Sequence, residues 1–282
     1  MLTRRLLACL VVALLWPWWL WAQPLPPSNL QIGSGNMPAR TGSATLVNLG
    51  SADTGSTTLT IPADATALVI GMSGYESAAS VFTGDAKNVG LGGADFAGST
   101  GPDTEVAFDA STSFMMGALW VWFNPPTGSV TLRWDWNGAP VLNEGAYIVY
   151  ASYNALDTTG LRSSPGGTQQ AGNPHTSNTL TAQSGDLIVA VCEQFTPSTG
   201  TGMTPSWSAS AATMSGIAYG DLGNNNAAIA LAESTAITGN GTVTCDWSST
   251  ADGGIGAIVF KPAAGGASVV TPRLLALLGV GA

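Results

Sequence analysis

Three segments in the first half of this chain have counterparts, in the same order, in the second half. Residues 128–134 read Gly-Ser-Val-Thr-Leu-Arg-Trp, and residues 241–247 read Gly-Thr-Val-Thr-Cys-Asp-Trp. Thr-Ala-Leu-Val-Ile-Gly-Met at 66–72 is matched by Asp-Leu-Ile-Val-Ala-Val at 186–191, and Ala-Tyr-Ile-Val-Tyr at 146–150 by Gly-Ala-Ile-Val-Phe at 256–260. The offset is about 110 to 120 residues. Self-similarity at a fixed spacing marks a repeated supersecondary unit, and this spacing predicts an internal duplication of a β-rich unit.

The strand character is plainest at 129–136. Val130, Leu132, Trp134 and Trp136 fall on one face, and Ser129, Thr131, Arg133 and Asp135 on the other. A period of two with one apolar face means a strand with one side on a core. Residues 242–247 repeat it, with Val243, Cys245 and Trp247 inward. The segments 66–72 and 186–192 are apolar on both faces and read as central strands. Further runs at 44–48, 56–61, 115–123, 145–153, 178–182, 213–219, 226–232 and 255–261 are separated by Gly, Ser, Asn and Asp turns. Many short strands with turn signals between them predict an all-β sandwich, jelly-roll-like, built from two pseudo-repeated halves at about 44–154 and 176–261. The join from Asp157 to Ser177 reads as a linker or a long crossover, and one compact body over 44–262 is the expectation.

Composition narrows the setting. Only 9% of residues are charged, against about 25% in an ordinary soluble domain. The polar surface must therefore come from hydroxyls and amides. Residues 1–22 have a secretory layout: Arg4 and Arg5, an apolar run from Leu6 to Trp21, then Ala22 as a small residue at a cut. An uncleaved anchor is the alternative reading. Removal of the leader leaves 17 acids against six bases, a net charge of −11 with His neutral. Those bases (Arg40, Lys87, Arg133, Arg162, Lys261 and Arg273) are scattered, which excludes a nucleic-acid groove. Residues 23–43 read as a Pro/Gly-rich linker and 263–282 as a C-terminal tail. The expected location is exported: extracellular, cell-surface or periplasmic.

The succession Leu68-Val69-Ile70-Gly71, Leu119-Trp120-Val121-Trp122-Phe123-Asn124-Pro125-Pro126-Thr127-Gly128, Val130-Thr131-Leu132 and Ala146-Tyr147-Ile148-Val149-Tyr150 resembles an uncharacterised exported bacterial jelly-roll-like module found in surface and phage-associated proteins. Ser184-Gly185-Asp186-Leu187-Ile188-Val189-Ala190 and Gly256-Ala257-Ile258-Val259-Phe260-Lys261-Pro262 extend the resemblance over about residues 55–262. It implies a fold and brings no catalytic residues. The end of the chain, Leu274 to Gly281, is similar to the ends of some phage-type structural proteins.

Chemistry is sparse. The single histidine, His175, sits in a turn-like stretch with no nucleophile or carboxylate beside it, and reads as an exposed loop residue. One His and two separated Cys lack zinc-site spacing. Among possible cofactors only calcium has a candidate site, the acidic segment holding Asp85, Asp95 and Asp103, which reads first as a solvated loop. Asp135, Glu144, Glu193, Glu233 and Asp246 include no pair singled out for glycoside hydrolysis. Most tryptophans read as core; Trp136 and Trp207 are the candidates for exposed, ligand-stacking positions. Cys192 and Cys245 remain once the leader goes. They are either an inter-strand disulfide closing a loop of roughly 50 residues, worth ~3–4 kcal/mol, or two separate buried thiols.

These features predict an exported structural or adhesive surface protein without enzymatic activity, whose partners are glycans or other surface proteins. A carbohydrate-binding module, a phage-type virion protein and a glycan-active hydrolase are the alternatives.

Overall fold

The computed structural model describes residues 37–52, 54–75, 89–108, 115–135, 146–195, 203–221, 227–248 and 251–264. The described residues are all-β, with antiparallel sheets throughout. The leader and tail expected at the two ends lie outside them.

The first eight strands are β1 (Ala39–Gly50), β2 (Thr54–Ile61), β3 (Ala67–Tyr75), β4 (Val89–Leu91), β5 (Thr104–Ala107), β6 (Met115–Phe123), β7 (Gly128–Asp135) and β8 (Ala146–Asn154). They form a five-stranded sheet, β1-β8-β3-β6-β5, and a three-stranded sheet, β2-β7-β4. The next eight are β9 (Thr168–Gln170), β10 (His175–Thr176), β11 (Leu187–Phe195), β12 (Pro205–Ala209), β13 (Ala212–Asp221), β14 (Ala227–Ile237), β15 (Val243–Trp247) and β16 (Gly253–Phe260). Their sheets are β9-β16-β11-β14-β13 and β10-β15-β12. Raising every index of the first pair of sheets by eight gives the second pair, strand for strand. Each set is an eight-stranded, jelly-roll-like sandwich.

The layers follow from which faces are apolar. In the first sandwich Leu68, Ile70 and Met72 of β3 meet Val130, Leu132 and Trp134 of β7 in one core. In the second, Ile188, Ala190 and Cys192 of β11 meet Val243, Cys245 and Trp247 of β15 in another. The opposite faces of β3 and β11 are apolar too. Ala67 and Val69 from β3, with Leu187, Val189 and Val191 from β11, build a third core between the two five-stranded sheets. The body thus stacks four sheets. Each sandwich closes its own core, whereas the sequence predicts two half-repeats sharing one.

The two inner sheets cross-pack in reversed order. β1 lies over β13, β8 over β14, β6 over β16, and β3 over β11 at the centre. Because β8 corresponds to β16 and β6 to β14, each of these contacts has its counterpart, the pattern of an isologous interface. Gly71 of β3 and Val191 of β11, equivalent positions, touch at the middle. A Cβ on Gly71 would stand 2.6 Å from both Val191 Cγ atoms, so the glycine sets how closely the sheets approach.

Several expectations change. β1 begins at Ala39, inside the expected linker 23–43. The join 157–177 contains β9 and β10, so the second unit begins earlier than 176. β4, β5, β9, β10 and β12 have two to five residues each, too short to display a period. The strand expected at 178–182 is a single bridge, Leu180 to Gly241. The match of 146–150 with 256–260 is out of register. Ala67 pairs with Tyr153 and Leu187 with Phe260, so Tyr153 corresponds to Phe260. The sequence match is shifted by an odd number, which swaps faces. Both faces of β8 and β16 are buried, so the slip leaves no trace in hydropathy.

Gly71→Ala is expected to lower stability by ~1–3 kcal/mol through overpacking. Val191→Ala in the same chain should restore most of that loss. Urea denaturation of the two single variants and the double variant reads this coupling, and additive losses would contradict it.

Candidate functional site

Three edge strands converge at one side of the stack: β1 from the first inner sheet, β13 from the second, and β12 from the second outer sheet. Between them runs a groove of about 670 Å³. Ala44 and Leu46 of β1 form one wall. Pro205 and Trp207 of β12 form the other, and Met214 to Tyr219 of β13 supply the floor. Leu46 and Tyr219 are 36% and 53% exposed, two of the few large apolar side chains standing open among the described residues. No carboxylate, ammonium or guanidinium lines the groove among the described residues.

Local sequence explains the shape. The β13–β14 register slips between Gly216 and Ala218, so Ile217 is an extra residue in the edge strand. A bulge of this kind bends an edge and re-aims its side chains. Gly216 lies under the indole of Trp207, where a Cβ would come within 3.2 Å of Trp207 Cδ1. Gly220 makes the matching allowance for Leu46, whose Cδ2 would stand 2.3 Å from a Cβ there.

Trp207 is half-buried. It pairs across the ladder with Cys245 and packs on the core of the second sandwich. It therefore joins the groove by one side while its indole Nε1 is buried with no hydrogen-bond partner. Leu91 holds the equivalent position, opposite Leu132, and is fully buried. The counterpart of the groove, where β9 meets β5, is filled: a Cβ on Gly167 would stand 2.4 Å from the Ala107 carbonyl oxygen and 2.5 Å from Phe108 Cβ. Phe108 is 2% exposed and closes that side.

The other anticipated residues are spread out. Trp136, Asp85 and Glu144 lie outside the described residues. Asp95 accepts the Gly98 N–H at 2.9 Å, and Asp103 accepts the Phe123 N–H at 2.6 Å. Asp95 thus serves its own turn and Asp103 ties the start of β5 to the end of β6, and no group of three metal-ligating side chains occurs among the described residues. Trp120, Trp122 and Trp134 are core, as their sequence positions predict. Glu193 is fully buried between the inner sheets and accepts the Ser73 hydroxyl at 3.2 Å. Glu233 is ion-paired with Arg40 at 3.3 Å. Val189 pairs with Glu233, which sets Glu193 four residues, about 13 Å, further along the sheet. Those two carboxylates do not form a hydrolytic pair. Burial and the Glu233 carboxylate push the Tyr153 hydroxyl well above its ordinary range.

His175 corrects the sequence reading. It is completely buried in β10 opposite Cys245, not exposed in a loop. Glycine at 253 makes room for it, since a Cβ there would stand 2.8 Å from His175 Nε2. Gln194 lies beside the ring, and Asp252 and Asp246 are near. Its signal in the sequence was the following Thr176, matched by Thr244 on β15, but two residues give no period. Tyr219 was also missed as a site residue, because the bulge at Ile217 hides the alternation that would have turned it outward.

No protein family, curated protein or solved structure matches this chain.

Burial depresses the His175 pKa below its ordinary 6.5, with Gln194 and the two aspartates opposing the shift. The unfolded chain then binds the proton at higher pH than the folded one. The stabilising contribution is present above the unfolded value and is lost as pH falls through the folded value. The stability advantage of the parent over His175→Gln should therefore shrink between about pH 7.5 and about pH 5. Denaturation midpoints at several pH values read it, and a constant difference would contradict it.

Proposed function

We propose that this chain is an exported adhesive surface protein without enzymatic activity, built from two copies of one β unit, and that the Trp207–Tyr219 groove is its contact surface for a carbohydrate. The observation that carries this reading is the lining: an exposed tyrosine ring and the side of a tryptophan, with no charged group among the described lining residues. Sugar rings present C–H faces that pack on aromatic rings, and hydroxyls that need neutral donors and acceptors. Ser206, Ser208 and Ser215 stand exposed along β12 and β13, and the free edges of both strands offer backbone groups. A lining whose described residues carry no carboxylate supports holding a glycan over cleaving it. The leader supports export, and the low charge with abundant hydroxyls suits a surface that meets polysaccharide.

Retention on immobilised polysaccharides, followed by a glycan array, tests the reading. Tyr219→Ala is the informative variant because its ring is half exposed and its loss leaves the core intact. It is expected to weaken binding on the order of tenfold, ~1.4 kcal/mol, with an unchanged melting temperature. Absence of retention across a broad panel, or full retention by Tyr219→Ala, would count against it.

A further inference from the structure

We infer that Cys192 and Cys245 form an inter-sheet disulfide in the exported protein, fastening β11 to β15 beneath Trp247. Both residues are free thiols in this structure and both are fully buried in the core of the second sandwich. They belong to facing sheets, on strands whose Cα atoms come within 8 Å of one another. Cys192 lies beside the Cys245 thiol and helps to raise its pKa, and the Trp247 indole N–H donates to Cys192 Sγ at 3.2 Å.

Comparison of the two sandwiches gives an independent reason. Cys192 occupies the position of Met72 and Cys245 that of Leu132, both buried side chains of the first core. Two buried apolar residues of one core thus stand where the other has two cysteines. The surrounding side chains shrink as well. Ile70 corresponds to Ala190, and Trp120, which pairs with Ile70, corresponds to Ala232, which pairs with Ala190. The first core buries three tryptophans, whereas the second buries Trp247, among five alanines, with Trp207 packed partly buried against it. Smaller side chains bury less apolar area and stabilise less. They also let the two sheets approach, which brings opposed cysteines into reach of a bond. A covalent staple offsets what the thin core lacks.

The chemistry is thiol–disulfide exchange. A thiolate of one cysteine attacks a disulfide supplied by a dithiol–disulfide carrier, and the second cysteine resolves the mixed disulfide. One protein disulfide forms, the carrier's disulfide is reduced to two thiols, and the two protons of Cys192 and Cys245 pass to the reduced carrier. Burial raises the Cys245 thiol far above its ordinary range, so the exchange belongs to folding, before the sheets close. Because Trp207 pairs with Cys245 across the ladder, the staple also anchors the strand behind the groove.

The test needs neither export nor a glycan, so its outcome is separate from that of the proposed function. The chain beginning at Gln23 is unfolded in reductant and refolded in a glutathione redox buffer. It is then denatured, treated with iodoacetamide and weighed by mass spectrometry. The expected result is a monomer that takes no label, with a peptide map joining Cys192 to Cys245. Reduction should lower the melting temperature by roughly 6–16 °C, and Cys192→Ala/Cys245→Ala should show no dependence on reductant. Two labelled thiols after oxidative refolding, or cross-linking only between chains, would overturn the inference.

Discussion

Everything else in this molecule depends on the contact between the two inner sheets. The three central strands of each inner sheet, β8, β3 and β6 in one and β16, β11 and β14 in the other, are apolar on the face away from their own sandwich, and neither unit can leave that face in water. Fully burying a Val, Leu, Ile or Phe side chain is worth ~1.5–3 kcal/mol. Val69, Leu119, Val121 and Val149 meet Val189, Val191, Leu231 and Ile258 there, so the interface rivals either sandwich core. Gly71 and Val191 set its spacing. Near its edge the Arg40–Glu233 ion pair bridges the two sheets, and Phe260 packs edge-on against Phe123 and tilted against Tyr153.

This contact also explains what could be read in the sequence. Strands with one wet face announced themselves: β7 and β15 alternate cleanly, and their inward residues are those predicted. Strands with two buried faces did not. The apolar runs of β3 and β11 were recognisable as central, but a continuous run does not say how many cores it touches. The third core was therefore invisible, and a single shared sandwich looked sufficient. The same loss of alternation let the 146–150 and 256–260 segments be aligned on the wrong faces. A chain read one residue at a time sees apolar content well and register poorly whenever polarity does not alternate.

The candidate site was legible in one residue and not in its surroundings. Trp207 drew notice because it lies among Pro, Ser and Thr, but the sequence does not show that it sits on an edge strand beside a bulge in another. The two elements that complete the groove, Leu46 and Tyr219, come from strands that looked ordinary. His175 was misjudged for a related reason. A histidine in a Gly-Asn-Pro stretch reads as surface, and only the glycine at 253, some 80 residues away, makes the space that buries it.

The groove exists because the two units are not equivalent at their edges. Two identical units in this arrangement would carry either two such grooves or none. Here β1 has twelve residues and reaches over β13, while its counterpart β9 has three. On the β9 side Phe108 fills the gap and Gly167 closes on it. On the β1 side no described residue intervenes as Phe108 does, and Trp207 replaces the smaller Leu91 on the strand alongside. The inner strands have both faces committed to cores and can change little without destabilising both sandwiches. Edge strands have one ladder partner and one free side, so length, bulges and side-chain size can vary there at small energetic cost. A binding surface in this architecture belongs at an edge where the two units differ, and the Trp207–Tyr219 groove is where the difference between them leaves room.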